Sequence, residues 1–253
     1  MTVNELYRHL DEAYPVTLRE EWDNDGLMLS PDGTSAVKRV LLTLDVTEAA
    51  ADYAIANGYD CIVSHHPLIF RPLSSLTTEN AVTRKCLKLL KSGVSVFSFH
   101  TRLDTVAGGV NDALAEKFGL SEVAPFGENR MGRIGNLSSS MTAEQFASFV
   151  KKALAADGVL LASAGHEVRR VAVLGGDGKS GIAEAFAAGA DTFVSGRIGY
   201  NIMAEARENG MNLVEAGHYF TEAPVLAYLE KRIRSFIPEA EIGYFTSNNL
   251  KLL

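Results

Sequence analysis

Three short motifs carry the side chains of this chain that are best suited to bind metal ions. They are SHHP with His65 and His66, HTRLD with Asp104, and GHYFTE with His218 and Glu222. Each follows a short apolar run of the kind that forms a buried strand. Ligands of open α/β sheets bind beyond the carboxyl ends of parallel strands, so we expect these side chains at such an edge. Imidazoles favour divalent transition metals and carboxylates can bridge two ions, so the motifs predict a site for two ions.

Two motifs place a histidine four residues before a carboxylate. The pairs are His218 with Glu222, and His100 with Asp104. Residues four apart lie on one face of a helix, so each pair faces one way if a helical turn begins at the histidine. A single pair of this kind is common by chance, whereas two pairs and an adjacent double histidine form a more specific pattern. The alternative for the double histidine is an ordinary surface or satisfied core role.

An internal repeat organises the chain. Residues 37–64 align without a gap on residues 168–195, with nine identities at an offset of 131. Further along, SGVSVFSFHT resembles NGMNLVEAGH at an offset of 117. The segments TVNELYRHL and TAEQFASFV each place a threonine before an apolar pattern of helical period, as an N-cap requires. A period of this length indicates a duplicated domain.

The two copies of the repeat differ in their candidate metal ligands. Ser64-His65-His66 aligns with Ser195-Gly196-Arg197, so the second copy has no imidazole at this position. A requirement of the core would be expected in both copies, which favours a functional role for the histidines. Because the other motifs fall in different copies, we expect the site to lie between two lobes.

The pattern predicts an α/β fold made of two intertwined α/β repeats, with mixed, mostly parallel sheets and flanking helices. The first lobe is expected at 1–125 and the second at 126–253, with no inserted middle domain. In the first lobe we predict helices near 2–13, 47–57, 80–92 and 108–118, and strands near 26–30, 38–44, 60–64 and 94–98.

Composition argues against a nucleic-acid-binding, exported or membrane-spanning protein. The 253 residues carry a net charge of −7 with 24 Lys and Arg, and no basic run, so nucleic acid is an unlikely partner. Cys61 lies in an apolar run and is expected to be a buried, non-reactive thiol. No signal peptide or membrane span is recognisable, so we expect a cytoplasmic protein.

At these motifs the chain resembles the GTP cyclohydrolase I type 2 homologues, also called NIF-three-like proteins. EEWDNDGL, SHHPLIF, HTRLD, GGVND, GRIGNL, ADTFVSG and AGHYFTE follow the family's order nearly end to end. The resemblance implies a toroidal homohexamer and two adjacent metal ions, of zinc, iron or manganese. It implies as their ligands His65, His66, Asp104, His218 and Glu222, with His100 nearby.

Some positions depart from the family pattern. Arg102 replaces Asn, Arg197 replaces Asp and Asn201 replaces His. The two arginines, if they face the site, would favour an anionic ligand; surface positions are the alternative. The turn LGGDGKSG offers Lys179 as an anion contact, although a plain turn between strand and helix is the favoured interpretation.

Two metal ions predict a metal-dependent hydrolase in which a metal-activated water attacks a phosphorylated or nucleotide-like small molecule. Asp104 and Glu222 are the expected bridging carboxylates. No GxSxG motif or polar cysteine suggests a side-chain nucleophile. The alternatives are a non-enzymatic metal carrier or insertion factor, and a regulatory interaction protein.

Overall fold

The computed structural model describes residues 1–252, which divide into two compact units. Unit 1 contains residues 1–103 and 226–249, and unit 2 contains residues 104–225 and the C-terminal residues from Leu250. Each unit has its own mixed sheet with helices packed against it. The predicted α/β fold with mostly parallel sheets is confirmed.

The strands of the described chain are β1 (Gly26–Leu29), β2 (Arg39–Thr43), β3 (Cys61–Ser64), β4 (Ser95–Ser98), β5 (Ser121–Phe126), β6 (Gly132–Met141), β7 (Leu160–Ala162), β8 (Val168–Asp177), β9 (Thr192–Arg197), β10 (Asn212–Glu215) and β11 (Glu241–Tyr244). The α-helices are α1 (Val3–Ala13), α2 (Glu48–Ala56), α3 (Ala81–Lys91), α4 (Thr101–Thr105), α5 (Val110–Lys117), α6 (Ala143–Ala153), α7 (Ile182–Ala187), α8 (Tyr200–Ala204), α9 (Ala206–Asn209), α10 (His218–Glu222) and α11 (Val225–Phe236). Short 3-10 helices cover Val16–Leu18 and Lys179–Gly181.

The sheet of unit 1 has the strand order β1-β4-β3-β2-β11. Strands β4, β3, β2 and β11 are parallel neighbours, and β1 pairs antiparallel with β4. Every residue of β3 and β4 is buried, as expected for central parallel strands covered by helices on both faces. The carboxyl ends of these two strands therefore lead directly into the SHHP and HTRLD motifs.

The sheet of unit 2 has the strand order β5-β6-β8-β9-β10-β7. Strands β8, β9 and β10 are parallel, whereas β6 and β7 pair antiparallel with β8 and β10. The parallel trio corresponds to β2, β3 and β4 of unit 1 at the offsets of the sequence repeat. The two units thus share a parallel centre and differ in the strands added at its edges.

Threonine caps begin the first helix of each repeat, as the sequence predicts. Thr2 and Glu5 form a capping box at α1, and Thr142 and Gln145 form one at α6. Each box satisfies backbone N–H groups that have no partner within the helix. The buried residues of α1 recur at helical period, and Tyr7 of the same helix contacts the ring of Phe97 in β4.

The units differ from the predicted lobes in where the chain divides. The predicted boundary lies at residue 125, whereas residues 104–125 belong to unit 2 and residues 226–249 to unit 1. Strand pairing accounts for both differences. β5 pairs with β6 in the second sheet, and β11 pairs in parallel with β2 in the first. The C-terminal part of the chain thus completes the first unit.

The Cys61 thiol is buried in β3, as predicted, and burial raises its pKa. A buried thiol of this kind is inert because the reactive thiolate is disfavoured there. Among residues 1–252, no helix is both long and apolar enough to cross a membrane.

Candidate metal centre

His65 and His66 stand directly after β3, where the parallel ladder ends. The backbone N–H of His65 donates to Thr43 O at 3.3 Å and that of His66 to Leu44 O at 2.9 Å. The pairing of β2 with β3 therefore continues past both strands and fixes the backbone of the double histidine. The ring of His65 is fully buried, and that of His66 is partly exposed.

Three imidazoles of unit 1 form a cluster. The ring centroids of His65, His66 and His100 lie 4.9 to 5.6 Å from one another. Each ring can offer one nitrogen so that the three atoms lie within 4.8 Å of one another. Neutral imidazole nitrogens are the preferred protein ligands of zinc, iron and copper, so this donor set fits a transition-metal ion.

Hydrogen bonds at Nδ1 orient all three rings of this cluster. His65 Nδ1 lies 2.9 Å from the carbonyl oxygen of Phe99, His66 Nδ1 lies 2.8 Å from Asp45 Oδ1, and His100 Nδ1 lies 2.8 Å from Asp23 Oδ1. A carbonyl or carboxylate oxygen accepts, so each Nδ1 carries the proton and each neutral ring has Nε2 as its lone-pair nitrogen. Acceptors of this kind are the usual partners of histidines that bind metals.

Asp23 of the WDND segment also anchors the loop after β4. Its Oδ2 accepts from the backbone N–H and the hydroxyl of Thr101, while its Oδ1 accepts from His100. Burial by itself raises the pKa of Asp23, but the hydrogen bonds from His100 and Thr101 outweigh it and lower the pKa to about 2. Asp23 is therefore an ionised acceptor at neutral pH.

Arg102 is buried and paired with two carboxylates. Its guanidinium donates to Asp25 Oδ2 at 2.9 Å, Asp11 Oδ1 at 2.7 Å and Tyr14 O at 2.7 Å, and it lies over the ring of Phe99. Asp25 Oδ2 also accepts from the backbone N–H of His100 at 2.9 Å. The positive charge of Arg102 is thus neutralised by two carboxylates, and the side chain supports the His100 loop through Asp25.

In unit 2, His218 and Glu222 begin and end the short helix α10. His218 Nε2 lies 3.1 Å from Glu222 Oε1, so the predicted helical turn brings the pair together. Glu222 is buried, whereas the side chain of His218 is 46% exposed. A carboxylate beside an imidazole provides two donor atoms of the types that divalent transition metals accept.

Glycines of β8 and β9 make room for α10. A Cβ at Gly176 would collide with Glu222 Oε1, and a Cβ at Gly196 would lie 2.6 Å from Thr221 Oγ1 and 2.7 Å from His218 Cα. Gly176 also has a φ of +66°, which disfavours other residues. The second copy therefore has glycine where the first has His65 because α10 occupies the space of a side chain.

Three glycine N–H groups of the LGGDGKSG segment have acceptors within unit 2. Gly175 N donates to Asn111 Oδ1, Gly176 N to Thr221 Oγ1 and Gly178 N to Ser195 Oγ. These three N–H groups are therefore engaged within unit 2, and an anion contact by Lys179 stays a prediction. Lys179 lies on the surface with its Nζ 3.4 Å from Asp177 Oδ2.

Three further residues singled out in the sequence are Asp104, Arg197 and Asn201, and all three are at least partly exposed. Asp104 is partly exposed in α4, and its backbone oxygen accepts from Asn111 Nδ2 at 3.1 Å within unit 2. Arg197 and Asn201 are exposed at and after the end of β9. Sequence reasoning missed the supporting carboxylates Asp23 and Asp45. The signal for Asp45 was its place directly after the predicted strand 38–44, and the signal for Asp23 was its place in the EEWDNDGL motif.

The family model of Duf34/NIF3 (NGG1p interacting factor 3) matches residues 1–250. The chain belongs to this family. Similar relatives include the GTP cyclohydrolase 1 type 2 homolog of Clostridium perfringens, which is 30% identical over 99% of this chain and 98% of that protein. The homolog of Lactococcus lactis is 31% identical over 93% of each chain.

Solved structures with a closely similar fold cover nearly the whole chain. The Bacillus cereus protein related to NIF3 superposes with a TM-score of 0.91 at 25% identity, covering 100% of this chain and 99% of that one. Reduced HcgD from Methanocaldococcus jannaschii superposes with a TM-score of 0.83 at 29% identity, covering 96% and 97% of the two chains. The family resemblance read from the motifs is therefore confirmed.

Proposed function

We propose that this protein is a metal-dependent hydrolase that holds two divalent ions of zinc, iron or manganese. The proposed ligands are His65, His66, Asp104, His218 and Glu222. The observation that carries the proposal is the imidazole cluster of unit 1, in which oxygen acceptors at Nδ1 leave Nε2 as the lone-pair nitrogen of each ring.

The supporting residues would set the affinity and the geometry of the ligands. Asp45 and Asp23 hold the protons on Nδ1 of His66 and His100, and the carbonyl of Phe99 does so for His65. Such partners prevent the ring from rotating and raise the basicity of the coordinating nitrogen. In unit 2, Gly176 leaves space for the carboxylate of Glu222. Divalent ions held by these groups would supply Lewis acidity and lower the pKa of a coordinated water.

Hydrolysis of a phosphorylated or nucleotide-like molecule is the activity that we propose. The relatives' shared name, GTP cyclohydrolase 1 type 2 homolog, supports a hydrolytic reaction on a substrate of this class. A toroidal homohexamer, implied by the motif resemblance, is the proposed assembly. Sedimentation at several protein concentrations tests it, since a hexamer has six times the mass of one chain.

Elemental analysis tests the metal centre directly. We expect purified wild type to contain bound transition metal, and His65→Ala and Glu222→Ala each to lose most of it. His9→Ala is the matched control, because His9 is a partly exposed histidine beside Phe236 and outside the motifs. Equal metal content in wild type and His65→Ala would refute the assignment.

A substrate screen with the metal-loaded protein then tests hydrolysis. Release of phosphate or opening of a heterocyclic ring that depends on Glu222 would support the proposal. Transfer of metal to an apo-acceptor without turnover of any substrate would instead indicate a metal carrier.

A further inference from the structure

Two large aromatic side chains are exposed beside the imidazole cluster of unit 1. Trp22 is 61% exposed and Phe70 is 39% exposed. Single exposed apolar residues are common, but here two rings contact each other and both contact His100. Trp22 is also the single tryptophan of the sequence.

The rings of Trp22, Phe70 and His100 form what we call the aromatic corner. Their centroids lie 6.0 to 6.2 Å apart, and their planes are inclined at 66°, 80° and 86° to one another. A planar ring that stacks on one wall of such a corner meets the other walls with its edge. Stacked and edge-to-face contacts are the two arrangements that aromatic rings prefer.

Hydrogen bonds hold the two loops of the corner in place. The side-chain amide of Asn24 donates to the carbonyl of Ile69, so the segments that carry Trp22 and Phe70 are joined. Asp23 anchors the Trp22 segment to His100 and Thr101. A platform that is ordered before binding loses less conformational entropy when a ligand arrives. The exposure of the two rings is thus built into the loop structure.

A cation adjoins the aromatic corner. The guanidinium of the exposed Arg71 lies 5.7 Å from the centre of the Phe70 ring. Arginine binds phosphate and carboxylate groups in bidentate geometry. A ligand on the corner can therefore place an anionic substituent near Arg71 while its ring contacts Trp22.

We infer that the aromatic corner is a binding subsite for a planar heteroaromatic ring that carries an anionic substituent, as a purine nucleotide does. The inference rests on the proposed function for the reaction at the neighbouring imidazoles, but binding to the corner is measurable without turnover. Trp22 and Phe70 are the specificity-determining residues in this proposal. A small molecule is the occupant because the corner adjoins the imidazole cluster, where a substrate must come.

Calorimetry on the full-length protein tests the subsite with guanosine 5′-monophosphate and with ribose 5-phosphate, which lacks the ring. We expect Trp22→Leu to weaken guanosine monophosphate binding about tenfold or more, as loss of one base–aromatic stack does. Trp22→Phe, which keeps a ring, should restore most of the affinity. Binding of ribose 5-phosphate should be equal in wild type and Trp22→Leu.

Matched controls separate the corner from other effects. Tyr200→Leu removes an aromatic side chain that is 84% exposed in unit 2 and should leave nucleotide affinity unchanged. Arg71→Ala should weaken the binding of guanosine monophosphate and of ribose 5-phosphate by a similar factor. Because Trp22 is the sole tryptophan, quenching of its emission by guanosine monophosphate reports binding at the corner itself.

Two results would overturn the inference. One is that wild type does not bind guanosine monophosphate at millimolar concentration, or that Trp22→Leu binds it as tightly as wild type does. The other is a Trp22→Leu protein that alters the oligomeric state by sedimentation but not nucleotide binding, which would assign the corner to a contact between copies. Metal content and turnover distinguish these failures from failure of the proposed function, because Trp22→Leu should retain its metal in either case.

Discussion

The carboxyl ends of β3 and β9 hold equivalent positions in the two repeats but carry different residues. Unit 1 has His65 and His66 there, whereas unit 2 has Gly196 and Arg197. In unit 2 the helix α10 packs so closely that a Cβ at Gly196 would contact its backbone. The duplicated fold therefore offers two ways to present an imidazole, from the strand end or from the helix that follows the next strand.

The helices that follow β4 and β10 also carry different residues at equivalent positions. At the repeat offset, His218 and Glu222 of α10 correspond to Thr101 and Thr105 of α4. Thr101 serves as a partner of Asp23, whereas His218 and Glu222 form the pair proposed to bind metal. Asp104, the proposed carboxylate ligand in α4, precedes the position equivalent to Glu222 by one residue. Both helices thus carry a proposed carboxylate ligand, whereas α10 also carries the imidazole of His218.

Asp45 and Gly176 extend this comparison to a third position. Asp45 orients His66 with its carboxylate, and Gly176, its equivalent, leaves space for Glu222. In unit 1 the strand end itself carries the carboxylate of Asp45. In unit 2 the equivalent position is Gly176, and the carboxylate above it belongs to Glu222 of α10. The two repeats thus differ both in donor chemistry and in backbone clearance at this position.

The largest expected effect comes from removing the buried cation of unit 1. Arg102→Leu removes the buried guanidinium that pairs with Asp25 and Asp11, and we expect a loss of about 3–5 kcal/mol in the free energy of unfolding. Urea denaturation measures the loss. Arg197→Leu, on the surface of unit 2, should change stability by less than about 0.5 kcal/mol. Equal effects of the two substitutions would contradict the structural role of Arg102.

Making the second repeat resemble the first should be the next most costly change. Gly196→His introduces a side chain against Thr221 and the backbone of α10, and we expect a loss of about 2–3 kcal/mol. Arg197→His at the neighbouring exposed position is the control and should be nearly neutral. Thermal or urea unfolding of both variants provides the test. A fully stable Gly196→His protein would show that the packing of α10 does not explain the glycine.

Removing the carboxylate that orients His66 should weaken metal binding without removing a ligand. We expect Asp45→Ala to lower metal affinity about 10- to 100-fold. Ser247→Ala is the control, because the Ser247 hydroxyl donates to the other oxygen of Asp45 and leaves the contact with His66 in place. Competition with a chelator of known affinity measures both. Identical affinities in the two variants would argue against a role for Asp45.

The smallest effect concerns the C-terminal segment of unit 1, which unit 2 does not share. Hydrogen bonds from Tyr244 and Arg234 lower the pKa of Glu230 below its ordinary value of 4.5. A lowered pKa contributes stability that is present above pH 4.5 and is lost as the pH falls through the folded-state value. Glu230→Gln should therefore reduce stability slightly at pH 7 and less at pH 3. A loss that grows toward low pH would reverse the predicted sign.

Local sequence patterns predicted the elements of the first repeat closely. The predicted strands near 60–64 and 94–98 are β3 (Cys61–Ser64) and β4 (Ser95–Ser98), and the helix near 80–92 is α3 (Ala81–Lys91). Apolar runs and N-caps act over a few residues, so a linear pattern is sufficient to reveal them. The return of residues 226–249 to unit 1 depends on pairing between β11 and β2, which no local pattern encodes.

The family, the duplicated α/β fold and the histidine and carboxylate motifs could be read from the amino-acid sequence, because they depend on residue order and periodicity. The three-dimensional structure was needed to show that Asp23 and Asp45 orient imidazoles, that Arg102 is a buried ion-pair partner, and that α10 requires glycine at 196. Each of these relations joins residues that are distant along the chain. Their physical cause is close packing and hydrogen bonding in three dimensions, where one backbone path decides which side chains have room and partners.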